Sequence, residues 1–401
     1  MSIELVDKLT ELLKQVTGFI YPNEIQIHWT LLIVVYPYIT GLVAGAFILA
    51  SLVKVFNVKE VQPTYRLAML TALAFLIVAP LPLLLHLGHP ERSYEIFLTP
   101  NLSSAMAMFG FVYAWYLMLV LLLEIWFEYR KDMVLWGKTE KFPMNWFYKI
   151  LSLFSTDISE KAVAFDKKAV KAITIVGIPS AFILHGYVGF IFGSVKANPW
   201  WSSVLIPIVF LFSAIVSGIA IVLLLYMIIT TSRGKQIDMK CLDRVASFLL
   251  YAVIVDFSLE VLDFIHRLYE SEESITIITS MVLNKLSISL IVMQILLGML
   301  LPLGILIIVK IFRFNQELRK LLYFVSAIMI QIGIFSTRWN VVIGGQMFSK
   351  SFRGLLTYKM EIFGLEGLLM AVFLLILPFL ILTVLLKVLP PWGKNNETNT
   401  T

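Results

Sequence analysis

The sequence predicts an all-α integral membrane protein: a bundle of about nine transmembrane helices preceded by an interfacial amphipathic helix. Of its 401 residues, 59% are hydrophobic and only 14% are charged, and the mean hydropathy is +0.88. A soluble domain carries about 25% charged residues. Runs of roughly 20 apolar residues, each long enough to cross a bilayer, recur along the whole chain. Composition and run length together therefore predict the fold class.

The N-terminal segment, residues 1–26, is charged and amphipathic, unlike a cleavable signal peptide. Val6, Leu9 and Leu13 recur at helical spacing against Asp7 and Lys8 on the other face. A helix lying on the lipid bilayer and a solvated helix packed on a partner subunit would both show this pattern. We assign the segment to the bilayer surface.

Apolar runs divide residues 27–388 into the spans of one membrane bundle, followed by a polar tail over residues 389–401. The predicted spans lie near residues 27–53, 66–87, 103–128, 170–194, 203–231, 245–268, 285–309, 320–338 and 362–387. The link over residues 128–171 is the only sizeable loop, so no separate soluble domain is expected. We find no internal repeat.

The distribution of lysine and arginine predicts the orientation. With the N-terminus outside, 22 of the 32 basic residues fall on the inner side, nine of them in the link after the third span. Cytoplasmic loops carry such an excess, so the chain is predicted N-out and C-in, as a multi-pass protein of a prokaryotic cytoplasmic membrane. The net charge of +6 reflects this bias and gives no indication of nucleic-acid binding.

Three motif-like loops then fall together on the outer side. They are "HLGHPERSYEIFLTPNLSSAMA" (residues 86–107), "KANPWW" (196–201) and "RWNVVIGGQMFSK" (338–350). The fourth span, ending in "LHGYVGFIFGSVKANPWW", contains His185 and Tyr187 at depth and ends at Trp200 and Trp201. A buried titratable group in a membrane is costly without a partner or a purpose. We expect the bundle to pack around this helix, with the two tryptophans in an aromatic belt at the membrane surface.

The sixth span carries three carboxylates, Asp256, Glu260 and Asp263, spaced i, i+4 and i+7 on one helix face. Such a stripe would repel itself if every member were ionised, so it indicates a proton relay. A structural pairing with Arg267, Arg338 or Lys285 would explain the same residues. On the inner side, Glu124 is the main polar residue within a span, close to the interface.

Histidine and cysteine usage argues against a resident redox centre. A membrane b-haem needs two facing imidazoles at one depth, whereas only one histidine lies deep in a span. The single cysteine, Cys241, allows no internal disulfide and no iron–sulfur cluster. The sequence thus predicts no haem or iron–sulfur cluster in this chain. The histidines are His28, His86, His89, His185 and His266.

Small residues and prolines shape individual spans. "GLVAG" (residues 41–45) in the first span is a small-xxx-small pattern, which is typical of close helix packing. Pro80 and Pro82 in the second span and Pro179 in the fourth predict kinks that could open space between helices.

Several of these pieces together resemble the polysulfide reductase membrane-subunit family (NrfD/PsrC-like). The resemblance rests on "YITGLVAGA", "HLGHPER", "TPNLSSAMAMFGF", "LHGYVGFIFGSVKANPWW", "SAIVSGIA" and "RWNVVIGGQ". The loop forms "FLTPNLSSAMA" and "RWNVVIGGQ" are most similar to the DsrP-type subunit of the Dsr redox complex.

The resemblance implies a subunit that binds a quinone near the outer face, against an extracytoplasmic iron–sulfur (ferredoxin-like) subunit. The family's quinone pocket lies among the first four helices, which points here to Tyr36, His185 and Tyr187, with His28 and His86 nearby. The family's asparagine contact has no evident counterpart, since Asn23 lies outside the first span. Cytochrome c and cytochrome b subunits are the further partners that a Dsr-type complex implies.

The sequence therefore predicts a quinone-reactive subunit of an anaerobic respiratory oxidoreductase complex, one that exchanges electrons between menaquinol or menaquinone and the iron–sulfur subunit in sulfur-compound metabolism. His185 is the expected direct partner of the quinol, because a neutral imidazole can accept its proton. Asp256, Glu260 and Asp263 would carry protons outward. On a helix, residues two apart differ by about 200°, so one of His185 and Tyr187 should line the pocket and the other pack behind it.

A secondary transporter or an ion-translocating channel subunit, using the buried carboxylates as its ion path, is the alternative function. Such a protein needs access from both faces and commonly shows paired broken helices in two repeats. The concentration of polar residues on the outer side and the absence of a recognisable repeat favour the quinone-reactive subunit.

Overall fold

The computed structural model describes residues 17–18, 27–101, 103, 105–270, 274–312, 314–349 and 352–393. Within them, nine helices are long and apolar enough to cross a membrane, which confirms the predicted helix bundle. These are α1 (Leu31–Lys54), α2 (Lys59–His86), α3 (Gly110–Thr139), α4 (Glu160–Gly193), α5 (Ile206–Ser232), α6 (Met239–Tyr269), α7 (Ser287–Ile311), α8 (Gln316–Gln346) and α9 (Leu368–Val388). The predicted amphipathic helix and most of the polar tail lie outside the described residues.

The shorter elements lie between or beside these helices. Strands β1 (Thr17–Gly18) and β2 (Gly354–Leu355) pair antiparallel, with Thr17 opposite Leu355. Short helices cover Glu95–Leu98, Met144–Leu151 and Ile275–Asn284, and helices α3 and α7 contain π-helical stretches at Trp115–Leu121 and Ser287–Leu300. We call the end of the bundle with residues 87–101, 194–205, 343–349 and 352–367 the motif end, and the end with residues 140–159 the lysine-rich end.

Helix α1, not α4, is the centre of the bundle, so the expectation that the chain packs around α4 is wrong. In the most apolar window of each helix, 89% of residues are buried in α1 and 78% in α5, against 44% in α4. The two central helices touch backbone to backbone: a Cβ on Gly45 would lie 2.0 Å from Ala214 O and 2.8 Å from Gly218 Cα. Close packing is thus confirmed as the role of the "GLVAG" pattern.

Helix α2 breaks where the sequence places its prolines. One segment, Gln62–Val78, ends just before Pro80, and a second, Leu81–His86, continues to the motif end. Proline lacks the N–H that would bond one turn back, so the helix cannot run straight through this point. The break directs His86 towards the loop before α9, where its Nδ1 lies 3.2 Å from Glu366 Oε1.

The link at the lysine-rich end is mostly helical, which corrects the prediction of a long loop over residues 128–171. Helix α3 runs on to Thr139 and α4 begins at Glu160, with the helix Met144–Leu151 between them. The buried ion pair of Arg130 and Asp166 joins the two extensions, with Arg130 Nη2 and Asp166 Oδ2 2.7 Å apart. Hydropathy detects only the lipid-buried part of a helix, so it does not recognise these charged extensions as helical.

At the motif end, the segment with Trp200 and Trp201 packs on the end of α8, which extends to Gln346, so the third motif-like segment is largely helical rather than a loop. Trp200 Nε1 donates to Asn340 O at 2.9 Å, and Trp201 Nε1 donates to Val341 O at 2.7 Å. Both tryptophans are buried, at 3% and 8% exposure, so the prediction of an aromatic belt facing the membrane surface is wrong. Gly345 is required here, because a Cβ would lie 1.9 Å from Trp201 Nε1.

Two predicted span boundaries place polar residues wrongly. His28 lies before the first residue of α1 and is exposed. Glu366 lies in the loop that precedes α9 and contains Gly364 at φ +104°. Helix α9 itself begins only at Leu368. In both cases the apolar run extends past the end of the helix, so hydropathy alone does not fix the helix end.

Candidate functional site

A cavity of about 160 Å³ lies between α1, α2 and α4 in the half of the bundle nearest the motif end. Three of the residues predicted to bind a quinone line it: Tyr36, His86 and Tyr187. The rest of the lining is apolar or aromatic and comprises Trp29, Ile33, Leu83, Leu87, Val188, Ile191 and Phe192. Few, convergent polar groups in an apolar cavity are typical of a site for an apolar ligand with a polar head.

Helical spacing places these side chains together. On α1, Ile33 and Tyr36 are three residues apart and face the same side, and Trp29 lies just before the helix begins. Trp29 stacks on Trp201 with ring centroids 5.5 Å apart, and Phe192 packs edge-on against Trp29 at 5.7 Å. These rings form an aromatic cover over the motif end of the cavity.

His86 contributes the ionisable group of this cavity. Its imidazole faces the Glu366 carboxylate, and both side chains are partly exposed, at 25% and 35%. A histidine beside a carboxylate can take up a proton and hold it as an ion pair. The pair therefore lies at the edge of the cavity towards the motif end, within ion-pair distance but without a hydrogen bond from His86 Nδ1 in the described residues.

His185 does not line this cavity, although the sequence analysis makes it the direct quinol partner. Its side chain is fully buried on the other side of α4, with Nδ1 3.3 Å from Thr40 Oγ1 and Nε2 3.2 Å from Arg338 Nη2. The ring also stacks on Phe210 at 5.8 Å. The helical offset separates His185 from Tyr187 as predicted, but Tyr187 is the residue on the cavity side.

The contacts of His185 also fix its tautomer. A guanidinium has no acceptor, so Arg338 must donate to Nε2, and the imidazole proton then lies on Nδ1 facing Thr40. Thr40 Oγ1 in turn donates to Tyr36 O at 3.1 Å. A chain of hydrogen bonds thus runs from Arg338 through His185 to the backbone of Tyr36.

Arg338, which the sequence analysis treats only as a possible structural partner of the α6 carboxylates, is the charged residue next to His185. It is fully buried on α8, donates from Nη2 to Ser213 Oγ at 2.6 Å, and lies 4.1 Å from the ring centroid of Phe210. Its Nε and Nη1 have no hydrogen-bond partner among the described residues. Asp256 and Glu260 are the acidic groups that interact with it electrostatically. The sequence gives two signals for it: Arg338 begins the motif "RWNVVIGGQ", and it is one of the cations suggested as partners of the α6 carboxylates.

The three carboxylates of α6 differ in their partners, and this bears on the two interpretations of the stripe, a proton relay and a structural ion pair. Asp263 is paired with Arg267 and accepts from Ser203, which is the structural alternative. Within the part of the chain that the structure describes, Asp256 Oδ1 and Glu260 Oε1 have no hydrogen-bond partner. Lys285, a third suggested cation, instead donates to Thr357 Oγ1 at 2.5 Å.

Glu260 is held in place by neighbouring amides rather than by a cation. Its Oε2 accepts from Gln294 Nε2 at 2.7 Å, and Gln294 Oε1 accepts from Asn340 Nδ2 at 2.7 Å. At the lysine-rich end, Glu124 is also fully buried, and it accepts from Tyr65 and Thr174 at 3.0 and 2.8 Å. Carboxylates therefore lie buried in both halves of the bundle.

Comparison with known proteins identifies the family. A sequence model described as "Polysulphide reductase, NrfD" matches residues 22–350, which is most of the chain. The chain belongs to the NrfD family. Members of this family interact with quinones in the membrane, and the cavity between α1, α2 and α4 lies within the matched residues.

Three relatives agree with this assignment. A selenate reductase subunit of Mesobacillus selenatarsenatis is 32% identical over 79% of this chain and 73% of its own length. A putative dimethyl sulfoxide reductase membrane subunit of Halobacterium salinarum is 29% identical over 49% of this chain and 42% of its own. Protein NrfD of Escherichia coli is 24% identical over 49% and 58%. This chain is thus an NrfD-family membrane subunit of a kind found in reductase complexes.

Proposed function

We propose that the cavity between α1, α2 and α4 binds the head group of a membrane quinol, and that this chain is the quinone-reactive subunit of a reductase complex. The observation that carries the proposal is the convergence of Tyr36, His86 and Tyr187 on one apolar cavity. A quinone head group is a flat, apolar ring with two oxygens, which suits aromatic walls and hydrogen-bond donors. Isoprenoid quinones dissolved in the bilayer are molecules of this kind.

The side chains of the cavity have distinct roles in this proposal. Tyr36 and Tyr187 orient the ring by hydrogen bonds to its oxygens. Oxidation of the quinol releases two electrons, which leave to the partner subunit, and two protons. His86 accepts these protons one after the other and passes each to the solvent at the motif end, and Glu366 stabilises the imidazolium that forms each time. His185 acts one layer behind, through Thr40, by fixing the backbone of Tyr36. His28, exposed and outside the cavity, has no contact role here.

Electrons must leave to another subunit, because the two-electron chemistry of a quinol needs an acceptor. We propose an extracytoplasmic iron–sulfur subunit docked on the motif end, close to the cavity. Tyr94, Phe97 and Leu98 are 57%, 57% and 72% exposed there, which is typical of a surface that a partner covers. Three finer parts of the proposal rest on the resemblance alone. They are menaquinol as the donor, a Dsr-type complex with cytochrome b and c subunits, and a sulfur compound as the terminal substrate.

We further propose that Asp256 and Glu260 exchange protons, whereas Asp263 has a structural role with Arg267. An unpartnered carboxylate oxygen can accept a proton without breaking an existing bond, and Asp263 lacks such an oxygen. Asp256→Asn should then slow quinol-dependent electron transfer at unchanged subunit abundance. The unpartnered oxygens of Asp256 and Glu260 would also suit an ion-translocating subunit, which is the alternative function. Proton uptake by proteoliposomes that contain this chain alone would support that alternative.

Filling the cavity tests the main proposal. Leu83→Trp should abolish quinol-dependent reduction of the partner subunit in the assembled complex, because the indole occupies the space of the head group. Reduction of the same partner by dithionite should be unchanged. Leu119→Trp, on a lipid-facing position of α3 that is 44% exposed, is the matched control and should keep full activity. Normal quinol turnover in Leu83→Trp would refute the proposed site.

A further inference from the structure

A second cavity, of about 210 Å³, lies between α5, α6, α7 and α8, again in the half nearest the motif end. Most of its wall is apolar, including Phe210, Phe257, Leu290 and Met299. It is separated from the first cavity by one aromatic layer, since Phe192 lines the first, Phe210 lines the second, and their ring centroids are 5.8 Å apart. The proposed function places no ligand in this space.

Two polar groups of the second cavity, one acceptor and one donor, have no hydrogen-bond partner in the described residues. Gln294 and Asn340 are buried and bond to their neighbours, so they hold the Glu260 carboxylate by Oε2. Glu260 Oε1 has no partner among the described residues. Arg267 binds Asp263 and donates from Nη1 to Trp200 O at 2.7 Å, yet no described residue accepts from its Nε.

These two unfilled groups lie on the same face of one helix. Glu260 and Arg267 are seven residues apart, which is two turns of α6, and both line the cavity. An unsatisfied buried polar group costs about 1–3 kcal/mol, and more where it is charged. A ligand that donates to the carboxylate and accepts from the guanidinium would satisfy both groups.

We propose that the second cavity is a second quinol-binding site, in which one hydroxyl donates to Glu260 Oε1 and the other oxygen accepts from Arg267 Nε. A quinol hydroxyl both donates and accepts, and the ring and tail suit the apolar wall. The ester and phosphate oxygens of a phospholipid accept but do not donate, so they leave Glu260 unsatisfied. A lipid with a hydroxyl or ammonium in its head group shares the required chemistry. This inference shares the ligand class with the proposed function, and it also uses Glu260, to which the proposed function gives a role in proton exchange.

Titration with 2-heptyl-4-hydroxyquinoline N-oxide, a fluorescent quinol analogue that is quenched on binding, tests the second site. The purified complex with its co-purifying subunits is used, and each variant is compared with wild type. Leu290→Trp should remove one equivalent of binding, because Leu290 lines the cavity and is 7% exposed. Leu301→Trp, on the same helix but 43% exposed, is the control and should remove none.

Glu260→Gln gives a second measurement that does not alter the packing. Loss of a hydrogen bond to a charged group, about 1.5–3 kcal/mol, should weaken the affinity of one equivalent by roughly 10- to 150-fold. The other equivalent should be unchanged. If Leu290→Trp disrupts the complex on size-exclusion chromatography, the isosteric Glu260→Gln variant decides the question.

The outcomes separate the two sites. If Leu83→Trp alone removes an equivalent and both Leu290→Trp and Glu260→Gln remove none, the second site is refuted and the proposed function stands. If Leu290→Trp removes one equivalent and Leu83→Trp removes none, the second site stands and the first is refuted. Displacement of the second equivalent by dioleoylphosphatidylglycerol or dioleoylphosphatidylethanolamine, but not by dioleoylphosphatidylcholine, would show a lipid with a donor in its head group and overturn the quinol assignment.

Discussion

Tyr187 and His185 are two residues apart on α4 but have different surroundings, and this difference can be measured. Tyr187 lines the cavity, so Tyr187→Phe removes one hydroxyl at the ligand and leaves the ring in place. A neutral hydrogen bond contributes about 0.5–1.5 kcal/mol net, which corresponds to a roughly 2- to 13-fold weaker affinity. We expect the KM for quinol to rise by this factor, with subunit abundance and thermal stability unchanged.

His185→Ala should show the reverse pattern. The substitution removes the acceptor at 3.2 Å from the Arg338 guanidinium and the ring that stacks on Phe210. Loss of a hydrogen bond to a charged group alone costs about 1.5–3 kcal/mol of stability, and the cavity left behind adds to it. We expect a lower melting temperature and yield. For the fraction that assembles, the KM should rise no more than in Tyr187→Phe, since the ring lies outside the cavity and acts on the ligand only through the backbone of Tyr36. Sequence reasoning predicts the opposite, a loss of electron transfer with intact assembly.

The assay is quinol-dependent reduction of the partner subunit in isolated membranes, normalised to subunit abundance by immunoblotting. Tyr251→Phe, at a lipid-exposed phenol on α6 that is 54% exposed, is the control for the Tyr-to-Phe change and should have no effect. An unchanged KM in Tyr187→Phe, together with a more than tenfold rise in a stably folded His185→Ala, would refute the assignment of Tyr187 to the ligand.

Three further predictions concern topology, cofactor content and packing. In a background without Cys241, an impermeant thiol reagent should label a cysteine at Lys196 in intact cells and should not label one at Lys138; the reverse would place the motif end inside. The chain expressed alone should show no reducible b-type absorbance band, and a stoichiometric band would contradict this. Gly45→Val should abolish stable expression because its Cβ alone would lie 2.0 Å from a backbone oxygen of α5, whereas Gly304→Val, with nothing within 4 Å, should be tolerated.

The fold was largely predictable because a bilayer imposes one simple rule. A spanning helix needs about 20 apolar residues, so hydropathy finds all nine of the long apolar helices in the described residues. The same rule explains the errors. It is blind where helices leave the lipid, as at Arg130 and Asp166, and it extends past the true helix end, as at His28 and Glu366.

The candidate site was predictable in its residue types but not in its geometry. Tyr36, His86 and Tyr187 stood out as polar or ionisable groups within apolar runs or at their ends, and they do converge. Glu366 could not be placed beside His86, because that contact joins α2 to a loop about 280 residues later. Periodicity defines which residues share a helix face, but it does not say which neighbouring helix that face meets.

His185 shows why a buried titratable residue in a membrane is an ambiguous signal. Burial demands a partner, and that partner can be a ligand or another buried side chain. Here the partner is Arg338, 153 residues away, which donates to the imidazole. Arg338 is itself a buried cation and therefore needs a counter-charge. Asp256 and Glu260 on α6 supply that charge. Arg338 therefore joins α8 to α4 through His185, and this contact explains the burial of the histidine without a ligand.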